Sequence, residues 1–82
     1  MDRRKQEGNS LLTVYDAEEL RRVIFPEHPD RTFGFQEWKF WMPEDSWAPT
    51  RIGDGARLNS LEDAVREAKG RAEWLVSVMT AQ

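Results

Sequence analysis

The sequence has no cysteine. That excludes disulfide stapling, cysteine-based zinc sites and thiol nucleophiles. Histidine is nearly absent as well. The single His28 lies in a proline-flanked loop with only acids near it in sequence. A metal site needs several converging ligands, so neither a metal centre nor a histidine base is expected. No run of about 18 apolar residues occurs, which excludes a membrane-spanning helix. The opening Met-Asp-Arg-Arg-Lys has no apolar stretch of the kind a secretion signal carries, so a cytoplasmic protein is expected. Excess charge of one sign is small, with a formal net charge of −3. That argues neither for a nucleic-acid binder by bulk attraction nor for a DNA mimic by bulk repulsion. A glycine-rich phosphate loop is missing too, because Gly53-Asp54-Gly55 lacks the following Gly and Lys and joins strands rather than opening a helix. No serine or threonine has an evident base, and the carboxylates are spaced as caps and helix-surface pairs. Catalysis and bound cofactors are therefore not expected.

What the 82 residues do contain is four Trp and four Phe, large apolar area for a single small domain that otherwise buries little surface. They also contain a well-marked C-terminal helix over residues 60–81. Its apolar positions are Leu61, Ala64, Val65, Ala68, Ala72, Leu75, Val76 and Met79, at steps that form one stripe of a 3.6-residue helix. Asn59 with Glu62, or Ser60 with Asp63, gives a capping pair at its start. Glu62 with Arg66 and Glu67 with Arg71 are opposite charges four residues apart, acid first.

Upstream, residues 1–10 read as a disordered polar tail whose basic trio Arg3, Arg4, Lys5 is solvated, and residues 11–82 as one domain. The short run 11–15 reads as a strand or as the lead-in to a helix. Asp16, with Glu19 three residues on, has the pattern of a helix N-cap, and Pro26 ends the segment, so 17–25 reads as a short helix. The rival reading makes 23–25 a strand, since β-branched and aromatic residues gather there. Residues 33–42 read as the longest strand, with Trp38, Phe40 and Met42 on one face and Glu37, Lys39 and Trp41 on the other. Phe33 and Phe35 are out of phase with Trp38, which calls for a bulge near Gln36 or aromatics on both faces. Residues 47–52 and 56–58 complete a three-stranded antiparallel meander.

The expected fold is α+β: a short N-terminal helix, then a three-stranded meander packed in two layers on one long helix. Its core face would be Trp38, Phe40, Met42, Ile52, Ala56 and Leu58. Lys39, Trp41, Trp47, Arg51 and Arg57 would then point outward as a basic and aromatic face. Such a face suits a protein partner, since Trp and Arg anchor interfaces, or a nucleic acid, since rings stack on bases and cations meet phosphates. The first helix could instead cover it. A second candidate surface is Gly70, Trp74 and Val78, which sit to one side of the helix stripe. A close backbone approach at Gly70, a dimer contact, or packing of Trp74 within the domain would each account for it.

In size, compactness and lack of catalytic groups the chain is similar in type to small accessory proteins of phages and mobile elements, anti-CRISPR proteins among them. That resemblance rests on no particular residues. It implies a non-enzymatic inhibitor or adaptor, monomer or homodimer, that occupies a surface on a larger protein or nucleoprotein complex. A three-stranded sheet backed by one helix also resembles DNA-binding modules of the integrase arm-binding type, which implies a sheet-based nucleic-acid binder as the alternative.

Overall fold

The computed structural model describes residues 10–80. Residues 1–9 of the expected tail and residue 81 of the expected helix lie outside the described residues, and Ser10 opens the first strand. The order is β1 (Ser10–Tyr15), β2 (Arg21–Pro26), β3 (Gln36–Trp41), β4 (Ser46–Pro49), α1 (Leu61–Arg71) and α2 (Glu73–Thr80). The strands form one antiparallel meander in the order β1-β2-β3-β4. The α+β class is as expected, but the sheet has four strands, there is no N-terminal helix among the described residues, and the C-terminal helix is broken in two.

The missing helix has a local cause. Asp16 does gather orphan N–H groups, but they belong to a hairpin loop. Its Oδ1 accepts from Leu20 N at 2.9 Å and from Arg21 N at 3.2 Å. Glu19 takes the left-handed conformation, φ 59°, that turns the chain back. The strand reading of 23–25 therefore wins, because Val23 pairs with Val14 and Phe25 with Leu12 across the hairpin.

Register then assigns the two faces of the sheet. Opposed residues share a face, so one face carries Leu12 with Phe25, Val14 with Val23 and Glu37, and Arg21 with Lys39 and Ala48. The other carries Tyr15 with Arg22 and Trp38, Thr13 with Ile24 and Gln36, and Phe40 with Trp47. The helices pack on the first. Val23, Phe25, Phe35, Ala64, Ala68, Ala72 and Leu75 form the buried core, with Ile52, Ala56 and Leu58 half-buried against it. Val23, Phe25 and Leu75 are fully buried, each worth about 1.5–3 kcal/mol of transfer free energy. Ile52, Ala56 and Leu58 thus lie on the core side as expected, but the expected face of β3 is reversed. Trp38 and Phe40 point away from the helices, and Met42 is 67% exposed. The phase of Phe35 and Glu37 is the one that faces inward.

The later expected strands are shorter than read. Residues 47–52 give only β4, and the continuing chain bonds to β3 irregularly, Thr50 N to the Glu37 carbonyl at 3.0 Å and Glu37 N to the Ile52 carbonyl at 3.0 Å. Residues 56–58 give a single bridge between Leu58 and Phe33. The turn between them is tight. Gly53 has φ 95°, and a Cβ there would run into the Phe35 carbonyl.

Ser60 caps α1, its hydroxyl accepting from Asp63 N at 3.0 Å, with Glu62 and Asp63 in the first turn and Lys69 and Arg71 in the last. At Ala72 the chain leaves the helical region, φ −120° and ψ 98°, and α2 starts on a new axis. The break moves Val76 off the buried stripe, to 41% exposed, and turns Trp74 onto the sheet.

Candidate functional site

The break at Ala72 gives the sheet its polar anchor. Glu37, 5% exposed, lies on the helix-side face of β3. One carboxylate oxygen accepts from Trp74 Nε1 at 2.6 Å, the other from Thr50 Oγ1 at 2.6 Å. A carboxylate this buried needs such donors, and charge-assisted bonds of this length are the strong kind. The contact ties α2 to β3.

Beyond Glu37 the same face of the sheet is exposed. The next row is Arg21 directly opposite Lys39, and Trp41 lies two residues further along β3. Arg21 and Lys39 are both exposed, and Trp41 is 48% exposed with Lys39 Nζ 5.9 Å from its ring centre. Like charges directly opposed across two strands are unfavourable. Among the described residues neither Arg21 nor Lys39 makes an ion pair, whereas Arg57 pairs with Asp30 and Arg66 with Asp63.

Beside this patch a groove of about 580 Å³ runs between the sheet and the helix break. Arg21 and Glu37 line it from the sheet, and Arg71, Glu73 and Trp74 from the helices. Arg71 is exposed and, like Arg21, has no ion pair among the described residues.

The far face of the sheet is a different object. Arg22, 4% exposed, lies with its guanidinium carbon 4.3 Å from the Trp47 ring centre and 5.8 Å from that of Trp38. Phe40 and Tyr15 close on Trp47 edge-on at 5.3 and 6.1 Å. A desolvated guanidinium over indole is worth about 2 kcal/mol. This cage already holds a cation of its own chain, so it acts as a second small core.

The expected surface is thus divided. Lys39 and Trp41 stay together. Trp47 belongs to the Arg22 cage on the opposite face. Arg51 is exposed in the chain after β4, at φ 76°. Arg57 bonds to Asp30 Oδ2 at 2.9 Å, in the turn where Asp30 also accepts from Thr32 N and Oγ1 at 3.0 and 2.6 Å. Those bonds, with the Arg57 charge behind them, hold the Asp30 carboxyl below its ordinary value. Of the second candidate surface, Trp74 is committed to Glu37, Val78 is half-buried, and a Cβ at Gly70 would meet nothing within 4 Å, so no backbone approaches there. Arg21 and Arg71 were not among the expected residues. The strand reading of 23–25, extended back two residues, would have placed Arg21 on the face of Val23; nothing in the sequence marks the groove at Arg71.

Among the described residues no group of His, Cys, Asp and Glu is arranged to hold a metal ion, and no helix is long and apolar enough to cross a membrane. Comparison with protein-family models, with curated proteins and with solved structures gives no significant match, so the reading of this surface rests on its own geometry.

Proposed function

We propose that the protein is a small non-enzymatic interaction module, an inhibitor or adaptor, that docks on an acidic surface of a larger protein through Arg21, Lys39 and Trp41. The observation that carries this reading is Arg21 directly opposed to Lys39, neither of them ion-paired among the described residues, beside an exposed indole. A folded domain gains nothing by facing two cations at each other, while an anionic partner gains two charge-assisted contacts and removes the repulsion. Trp and Arg are the side chains that most often dominate interface energies.

The second reading is a nucleic-acid binder, favoured by the same pairing of cations with an exposed ring. Capture from a lysate of the encoding organism separates the two. Wild type should retain a specific protein that survives nuclease treatment, and Lys39→Ala with Trp41→Ala should lose it while keeping the far-UV circular dichroism spectrum. Retention that disappears with nuclease and falls steeply with salt would make phosphate the ligand instead. Retention unchanged in the double variant would move the interface elsewhere.

A further inference from the structure

We infer that the groove between Arg21 and Arg71 takes a short acidic peptide segment of the partner protein rather than a nucleic-acid strand; this deepens the proposed docking on an acidic protein surface and rests on it. The groove's charges are mixed in a particular way. Its exposed cations, Arg21 and Arg71, stand on opposite walls, one from β2 and one from the end of α1, and neither is paired among the described residues. Its acids are Glu73 on the helix side and the buried Glu37 beneath.

A polypeptide can satisfy both sets. Its acidic side chains reach guanidinium groups as bidentate acceptors, and its main-chain N–H groups donate to the exposed Glu73 carboxylate. A phosphodiester backbone only accepts. It has no donor to offer Glu73, whereas a peptide main chain does. Stacking inside the groove gives it little in return, since Trp41, the exposed indole of the adjoining patch, does not line it. Trp38, Phe40 and Trp47 lie on the other face of the sheet, and the edge of Trp74 is held by its bond to Glu37. The groove is also continuous with the proposed docking patch, because Arg21 belongs to both.

The test is selection of short random peptides displayed on phage against the immobilised full chain, then fluorescence anisotropy on a synthetic copy of an enriched sequence. Enriched peptides should carry net negative charge. Arg71→Glu should weaken their binding about tenfold or more, the loss of a charge-assisted contact replaced by repulsion. Arg21→Glu with Arg71→Glu should enrich basic peptides instead. Neutral or basic peptides from wild type, no enrichment at all, or indifference to Arg71→Glu would each overturn the inference. So would a random single-stranded oligonucleotide that binds more tightly than the best peptide at physiological salt. Arg71→Ala serves as the milder variant should the charge reversal alter the denaturation midpoint. Peptides that need Trp41 but not Arg71 would overturn the groove and leave the docking patch standing. Peptides that need Arg71 but not Trp41 would do the reverse.

Discussion

Replacing Trp74 by Phe should cost this protein about 2–3 kcal/mol, a large share of the stability of a domain this small. Phenyl keeps most of the apolar body of indole, and Trp74 is only half-buried, so lost packing is the smaller part. The larger part is the N–H. It sits 2.6 Å from a carboxylate oxygen of Glu37, which is 5% exposed and has Thr50 as its other side-chain donor. Without it that oxygen is left buried with no donor, and bonds to charged groups contribute about 1.5–3 kcal/mol. Glu37→Gln is the informative companion. A glutamine can keep its oxygen toward Trp74 and turn its amide group to the Thr50 hydroxyl, which accepts as readily as it donates. That variant should lose only about 1 kcal/mol, the difference between a charged and a neutral bond. Trp74→Phe placed on top of Glu37→Gln should then cost about 1 kcal/mol less than it does in wild type, because the group left behind is a neutral carbonyl. Urea denaturation monitored by far-UV circular dichroism measures all four chains without relying on the tryptophan that is removed. If Trp74→Phe costs under about 0.5 kcal/mol, or costs the same in both backgrounds, Glu37 is not what holds α2 on the sheet.

Leu75→Ala, at a fully buried position, should cost about 2–5 kcal/mol in chemical denaturation, while Glu67→Ala, exposed on α1, should change stability by no more than about 0.5 kcal/mol. Gly70→Ala should raise the denaturation midpoint by the equivalent of about 0.5–1 kcal/mol, because Gly70 lies inside α1 and a methyl there meets nothing. Asp30 is held below its ordinary value by Thr32 and Arg57, so its contribution is present above the unfolded carboxyl pKa and is lost as pH falls through the lower folded value. In acid titrations of stability, Asp30→Asn should therefore lose less than wild type over that window, and a parallel loss in both would refute the assignment.

The start of α1 is legible in the sequence because its signals are local: Ser60, Glu62 and Asp63 stand within one turn of each other. Asp16 misleads for the same reason. A side chain that collects the next few N–H groups looks alike in sequence whether it opens a helix or a hairpin loop, and only the pairing of Val23 with Val14 decides it. The expected face of β3 is reversed because a charged Glu37 reads as a mark of the solvent side. Its inward position depends on Thr50 and on Trp74, 37 residues away, which no local pattern displays. The break at Ala72 is not marked by Ala72 itself, since alanine is the best helix former. Of the candidate surface, Lys39 and Trp41 are legible from strand alternation alone. Arg21 is hidden by the helix assignment, and its opposition to Lys39 is a matter of register between strands.

The proposed docking turns on that opposition: the chain keeps two cations facing each other at a cost to itself, and a partner relieves it. The most direct measurement is a double-mutant cycle in urea at low salt with Arg21→Gln, Lys39→Gln and the pair together. The cycle cancels what each side chain does alone, including the contact of Lys39 with the Trp41 ring. The expected coupling is repulsive, about 0.2–1 kcal/mol, and shrinks as salt is added. A coupling of zero, or an attractive one, would contradict the proposal, because there would then be no penalty for a partner to remove.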